Sequence, residues 1–111
     1  MRWVYDKNLI TRLKVMLLDQ LHAQKNQIAA LGEQYGARRI RVFGSVARGE
    51  ERPDSDVDFL ADFDRGYDLF LQRLPLARQL SELLGRRVDL IPEHELNEHL
   101  RENVLRESVE L

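Results

Sequence analysis

The segment Asp56-Val57-Asp58-Phe59-Leu60-Ala61-Asp62 constrains the fold more than any other. Carboxylates alternate with Val57, Phe59 and Ala61, the two-residue period of a strand with one buried face. A second β-rich segment, Val88-Asp89-Leu90-Ile91, is halted by Pro92. The twenty-three residues 63–85 lie between the two. That is too long for a hairpin and long enough for a helical crossover, so the spacing predicts parallel neighbours joined in the right-handed sense. Asp64-Arg65-Gly66 reads as a loop and Asp68 to Leu84 as a helix, with Leu69, Leu76, Leu80, Leu83 and Leu84 on or near one face. Pro75 either starts the main helix in its first turn or kinks it.

Upstream, Arg39-Ile40-Arg41-Val42-Phe43 reads as a strand ended by Gly44, and Ser45 to Arg48 as a short helix stopped by Gly49. Pro53-Asp54-Ser55 has the composition of a turn. Residues 8–35 carry Ile10, Leu13, Leu17, Leu21, Ile28, Leu31 and Tyr35 at helical spacings, as one helix or two, with Gly36 as the stop. Met16-Leu17-Leu18 widens its apolar face, for core packing or for a partner. Residues 93–110 read as one helix or two short ones. The order predicts an α/β (α+β) fold with a small mixed sheet of three to four strands flanked by helices.

A chain of 111 residues is one domain, and 43% apolar with 32% charged residues allows a core and a solvated surface. No apolar run reaches the roughly 20 residues needed to cross a bilayer, and no secretory signal opens the chain, so no membrane partner and a cytoplasmic location are expected. The absence of cysteine excludes disulfides and cysteine-based zinc or nucleophile chemistry. Residues 1–52 carry ten Lys/Arg against five Asp/Glu, and residues 53–111 carry seven against fourteen. A nucleic-acid footprint would lack that acidic counterweight, so no direct nucleic-acid partner is expected. His22, His94 and His99 have no convincing ligand spacing. Solvated helix faces account for most acidic residues from Glu93 to Glu110, and a solvated rim for Arg38, Arg39, Arg41, Arg86 and Arg87. Neither explains aspartates within a strand.

Asp56 and Asp58 are two apart, so on a strand both carboxylates face the same side. Two ionised carboxylates that close repel, and one takes up a proton unless a cation neutralises them. A hard divalent ion such as Mg²⁺ is commonly held by one or two carboxylates plus substrate phosphates. If the strand at 88–91 lies beside the one at 56–62, Asp89 joins the pair. Three carboxylates could then support two metal ions about 3.5–4 Å apart, clamping the attacking and leaving oxygens of a phosphoryl-type transfer. Gly44-Ser45, between a strand and a short helix, lets phosphate approach the backbone, and the Ser45 hydroxyl can donate to a phosphate oxygen. Arg48 could add charge there or stay on the surface. Asp62 shares the face of Asp58, while Asp64 and Asp68 suit a loop and a helix start. An isolated Asp-x-Asp would equally suit a metal-dependent glycosyltransferase.

The set Gly44-Ser45-Val46-Ala47-Arg48-Gly49, Ser55-Asp56-Val57-Asp58 and Val88-Asp89-Leu90 resembles the minimal nucleotidyltransferases of the DNA polymerase β superfamily. More narrowly, it resembles the MNT antitoxins of HEPN/MNT toxin–antitoxin pairs. The resemblance spans about residues 28–100 and implies a minimal nucleotidyltransferase domain at 28–111 behind an N-terminal helical extension at 1–27. It implies that Asp56, Asp58 and Asp89 ligate two Mg²⁺ ions, with Asp89 helping to deprotonate an acceptor hydroxyl. Gly44 and Ser45, with Arg48 beside them, would hold the β- and γ-phosphates of ATP. The implied reaction moves AMP from ATP to a tyrosine hydroxyl of a cognate HEPN ribonuclease toxin, silencing it. A homo- or hetero-oligomer is compatible with this, since the partner would complete the site. Two alternatives stand beside it: an antitoxin that neutralises its toxin by binding alone, and a nucleotidyltransferase acting on a small molecule such as an aminoglycoside.

Overall fold

A computed structural model describes residues 17–111. The part of the expected first helix at residues 8–16 therefore lies outside the described residues. Within them, residues 17–23 are helical, a turn falls at Gln24, and helix α1 runs Lys25–Gln34. The helical pattern at 17–35 is thus two segments, and Gly36, with φ +77°, follows the second.

Strand β1 (Arg38–Phe43) leads into the five-residue helix α2 (Gly44–Arg48) and then to β2 (Val57–Asp62). A wide π-helical turn at Leu69–Arg73 precedes α3 (Leu74–Leu84), and β3 is Val88–Pro92. A single 3-10 turn at Glu93–Glu95, α4 (Glu98–Glu107) and the two-residue strand β4 (Val109–Glu110) complete the chain. Residues 93–110 therefore hold a short strand as well as helix. The sheet is mixed, in the order β3-β2-β1-β4: β2 and β3 are parallel, and β1 is antiparallel to both β2 and β4.

Pro75 lies in the first turn of α3, where a missing amide costs little. The preceding turn is widened, and the Asp68 carboxylate caps it by accepting from the amides of Phe70 and Leu71, each at 2.9 Å. Leu76, Leu80 and Leu84, one face of α3, are buried. They meet Val57, Phe59 and Ala61 of β2, Val42 of β1, Leu90 of β3, Ile28 of α1 and Leu17 and Leu21 in one core cluster. That core covers one face of the sheet. Asp58, Leu60 and Asp62 of β2 point to the other face, as the strand period requires.

Arg41 departs from its expected place on a solvated rim: it is 3% exposed. Its guanidinium donates to Asp62 Oδ1 at 2.8 Å, to Glu93 Oε2 at 3.4 Å and to the Arg39 carbonyl at 3.0 Å. Register explains this. Arg41 faces Leu60 across the antiparallel pair, which puts its side chain on the same face as Asp62. Among the described residues, no helix is long and apolar enough to cross a membrane.

Candidate functional site

The site lies where β1, β2 and β3 present the ends nearest α2. The parallel register pairs Val57 with Val88 and Asp58 with Asp89. The two aspartates therefore sit side by side on neighbouring strands, on the sheet face away from the core. Asp56 precedes β2 and keeps to the same side as Asp58 by strand parity. Asp58 is half-buried, and its carboxyl is pushed up from 3.8 to about 6. Burial is the largest cause, followed by the charges of Asp89 and Asp56, while Arg48 opposes the rise. The crowding of carboxylates expected from the sequence thus falls on Asp58.

On its other side, Asp58 faces Phe43, the last residue of β1, and the turn at Gly44 follows. Gly44 has φ +72°, and the Asp58 carboxylate stands where a side chain at Gly44 would have to go. Only glycine satisfies both conditions without strain. The turn launches α2, which Val46 anchors in the core and Gly49 ends in a left-handed conformation. Ser45, one residue into this helix, is partly exposed.

Arg48 is held rather than free on the surface. Its Nε donates to Glu50 Oε2 at 3.0 Å, and its Nη1 to Glu107 Oε2 at 3.1 Å and Oε1 at 3.3 Å. The Gly44 amide donates to the same Glu107 Oε1 at 2.9 Å. Glu107 was legible only as one of many acidic residues on a solvated helix, and its helical spacing holds no sign of this contact.

Arg86 leaves the expected rim, while Arg87, its side chain 78% exposed, stays on it. Arg86 Nη2 donates to the carbonyls of Arg52 at 2.6 Å and Ser55 at 3.0 Å. Arg87 Nη2 donates to the Asp54 carbonyl at 3.2 Å, and its Nε pairs with Asp56 Oδ1 at 3.0 Å. Together with the Ser55 hydroxyl, which accepts from the Arg52 amide at 2.8 Å, they fasten the Pro53-Asp54 turn. The offset of 31 residues that sets Asp58 beside Asp89 also sets Asp56 beside Arg87. That offset, applied to the sequence, is the signal that would have found the pair.

Among the described residues, no three His, Asp or Glu side chains already converge as a metal-binding group. Asp58 and Asp89 are adjacent, whereas Asp56 is turned to the Arg87 guanidinium. The donor set nevertheless fits a hard divalent cation: all its ligands are carboxylate oxygens, and the charge repulsion that raises Asp58 is what a cation would relieve.

Residues 25–111 match the model of the nucleotidyltransferase domain family. The chain is 47% identical over 79 residues to "Protein adenylyltransferase MntA" of Thermococcus cleftensis, an alignment covering 71% of this chain and 79% of that protein. Among solved structures, it is similar to one named as a candidate minimal nucleotidyltransferase, with a TM-score of 0.74 and 47% identity over 85% of this chain and 95% of that one. It is also similar to a chain of a toxin–antitoxin crystal structure with AMP-PNP, with a TM-score of 0.65 and 25% identity over 77% of this chain and 69% of that one.

Proposed function

The chain belongs to the nucleotidyltransferase domain family and is a nucleotidyltransferase, and we propose that it is an antitoxin transferring AMP from ATP to a tyrosine hydroxyl of a HEPN ribonuclease toxin. The observation that carries this reading is the pairing of Asp58 with Asp89 in register, with the Gly44 turn closed directly against Asp58. It sets a carboxylate pair and a glycine turn side by side, as a nucleoside triphosphate needs. The similarity to a protein adenylyltransferase and to a toxin–antitoxin chain solved with AMP-PNP supports the donor and the class of acceptor.

In this reading, Gly44 and Ser45 receive the β- and γ-phosphates, with Arg48 beside them. The tyrosine oxygen attacks the α-phosphorus, its bond to the bridging oxygen breaks, and pyrophosphate leaves. Asp89, exposed at the strand end, takes the phenolic proton. Asp56, Asp58 and Asp89 would hold Mg²⁺, which when bound supplies neutralisation of the phosphate charge. Asp56 exchanges its Arg87 partner for that role. Catalysis then rests on positioning and charge rather than on a covalent intermediate.

The test uses the whole chain with ATP, Mg²⁺ and a HEPN toxin partner, read by intact mass. The expected result is a mass increase of one AMP, or a short chain of them, on a toxin tyrosine. Asp56→Asn and Asp58→Asn should abolish it while the complex still forms. A toxin that stays unmodified yet inhibited would replace this reading with inhibition by binding alone. The exposed Phe70 and Leu71, at 76% and 73%, offer apolar surface for such binding. AMP appearing instead on an aminoglycoside, with no protein partner present, would indicate a small-molecule acceptor.

A further inference from the structure

Arg48 is the one cationic side chain of the α2 turn, and its guanidinium is gripped on two edges. Glu50 takes Nε and Glu107 takes Nη1, which leaves Nη2 without a partner among the described residues. A guanidinium fixed in this way has its plane set and one amino group left to donate. The two carboxylates differ in kind. Glu50 is two residues from Arg48 and its side chain is 66% exposed, whereas Glu107 arrives from the far end of the chain and its side chain is 29% exposed.

The sheet explains how Glu107 gets there. β4 pairs antiparallel with β1, Arg41 with Glu110 and Val42 with Val109. Continuing that register by two residues sets Gly44 opposite Glu107, and the Gly44 amide does donate to Glu107 Oε1. The pairing of Arg39 with Glu110, at 2.9 Å, secures the same strand at its other end. One carboxylate therefore ties the closing helix of the chain to both the backbone and the cation of the turn.

We infer that Glu107 is a positioning residue for the nucleotide phosphates: it holds the Gly44 amide and the Arg48 guanidinium in place, making the α4–β4 segment part of the phosphate site. This rests on the nucleotidyltransferase reading above. Glu107 acts through Arg48 and Gly44 and does not itself touch the nucleotide. A carboxylate at the same place could instead compete with phosphate for the turn, and the two roles predict opposite signs. Removing a positioning group weakens nucleotide binding, whereas removing a competitor strengthens it.

The experiment measures ATP binding in Mg²⁺ by calorimetry, and KM and kcat for AMP transfer, for Glu107→Ala, Glu107→Gln, Arg48→Ala and the double variant Glu107→Ala/Arg48→Ala. Glu107→Gln keeps an acceptor for the Gly44 amide and guards against a fold defect. Expected are a roughly tenfold weaker ATP affinity and higher KM in Glu107→Ala, a smaller loss in Glu107→Gln and little change in kcat. In the double variant, Glu107→Ala should add little to the loss from Arg48→Ala. Tighter or unchanged ATP binding in either Glu107 variant, or full additivity with Arg48→Ala, overturns the inference alone. A wild-type chain that binds no ATP overturns the parent reading and the inference with it.

Discussion

Replacing Asp58 with Asn isolates the cost of keeping the site charged. The substitution is nearly isosteric, so the packing against Gly44 is retained, while the charge is lost. In the folded chain, the Asp58 carboxyl is raised from 3.8 to about 6, first by burial and then by Asp89 and Asp56. A folded pKa above the unfolded one means that the fold binds the proton more tightly, so stability is lost as pH rises from about 4 through about 6 and stays lost above. A rise of that size would correspond to about 3 kcal/mol for a group shielded from water. Asp58 is only half-buried and solvent screens its neighbours, so about 1 kcal/mol is the expected penalty. Asp58→Asn should therefore be more stable than the wild type above pH 6, by several degrees in Tm for a domain of this size. The gap should shrink as pH falls through about 6 toward 4 and close below that, where the wild-type carboxyl is protonated in both states. The assay is thermal or urea unfolding at several pH values without divalent cations, alongside AMP transfer, which the variant should lose. A variant no more stable than the wild type at pH 8, or a gap of equal size at pH 4 and pH 8, would refute the placement of strain at Asp58.

Two other substitutions test the structure around the site. Gly44→Ala combines a left-handed φ of +72° with a clash against the Asp58 carboxylate, and should cost about 2 kcal/mol and reduce AMP transfer. A variant with wild-type Tm and turnover would show that the turn tolerates a side chain. Arg41→Ala leaves Asp62 and Glu93 without their shared cation on the sheet face away from the core, where burial and then Glu93 hold the Asp62 carboxyl above its ordinary range and Asp62 holds Glu93 below its own. A loss of about 3 kcal/mol in urea unfolding is expected, and a loss below about 1 kcal/mol would mean that the cation is dispensable there.

Much of the fold was legible because short-range patterns encode it. The alternation of Asp56 to Ala61, the long segment between it and Val88 and the punctuation by Gly44 and Gly49 predict strands, a crossover and turns, and the structure has them. β4 was not separable from the helix before it, because two residues carry no period. From the sequence Arg41 reads as a rim residue, because an arginine in a strand with no partner nearby in the chain looks solvated. Its burial depends on Asp62 and Glu93, 21 and 52 residues away.

The candidate site divides along the same line. The types and order of Gly44, Ser45, Asp56, Asp58 and Asp89 are properties of the sequence, because a glycine turn and carboxylates at strand spacing are chemical statements that need no partner. Their adjacency is not. The register that sets Asp58 beside Asp89, the turn of Asp56 toward Arg87 and the grip of Glu107 on Arg48 and Gly44 exist only once the sheet closes. Hydrogen bonds between residues 31 to 63 positions apart leave no periodic trace along the chain, and only the packed backbone brings their ends within 3 Å or so.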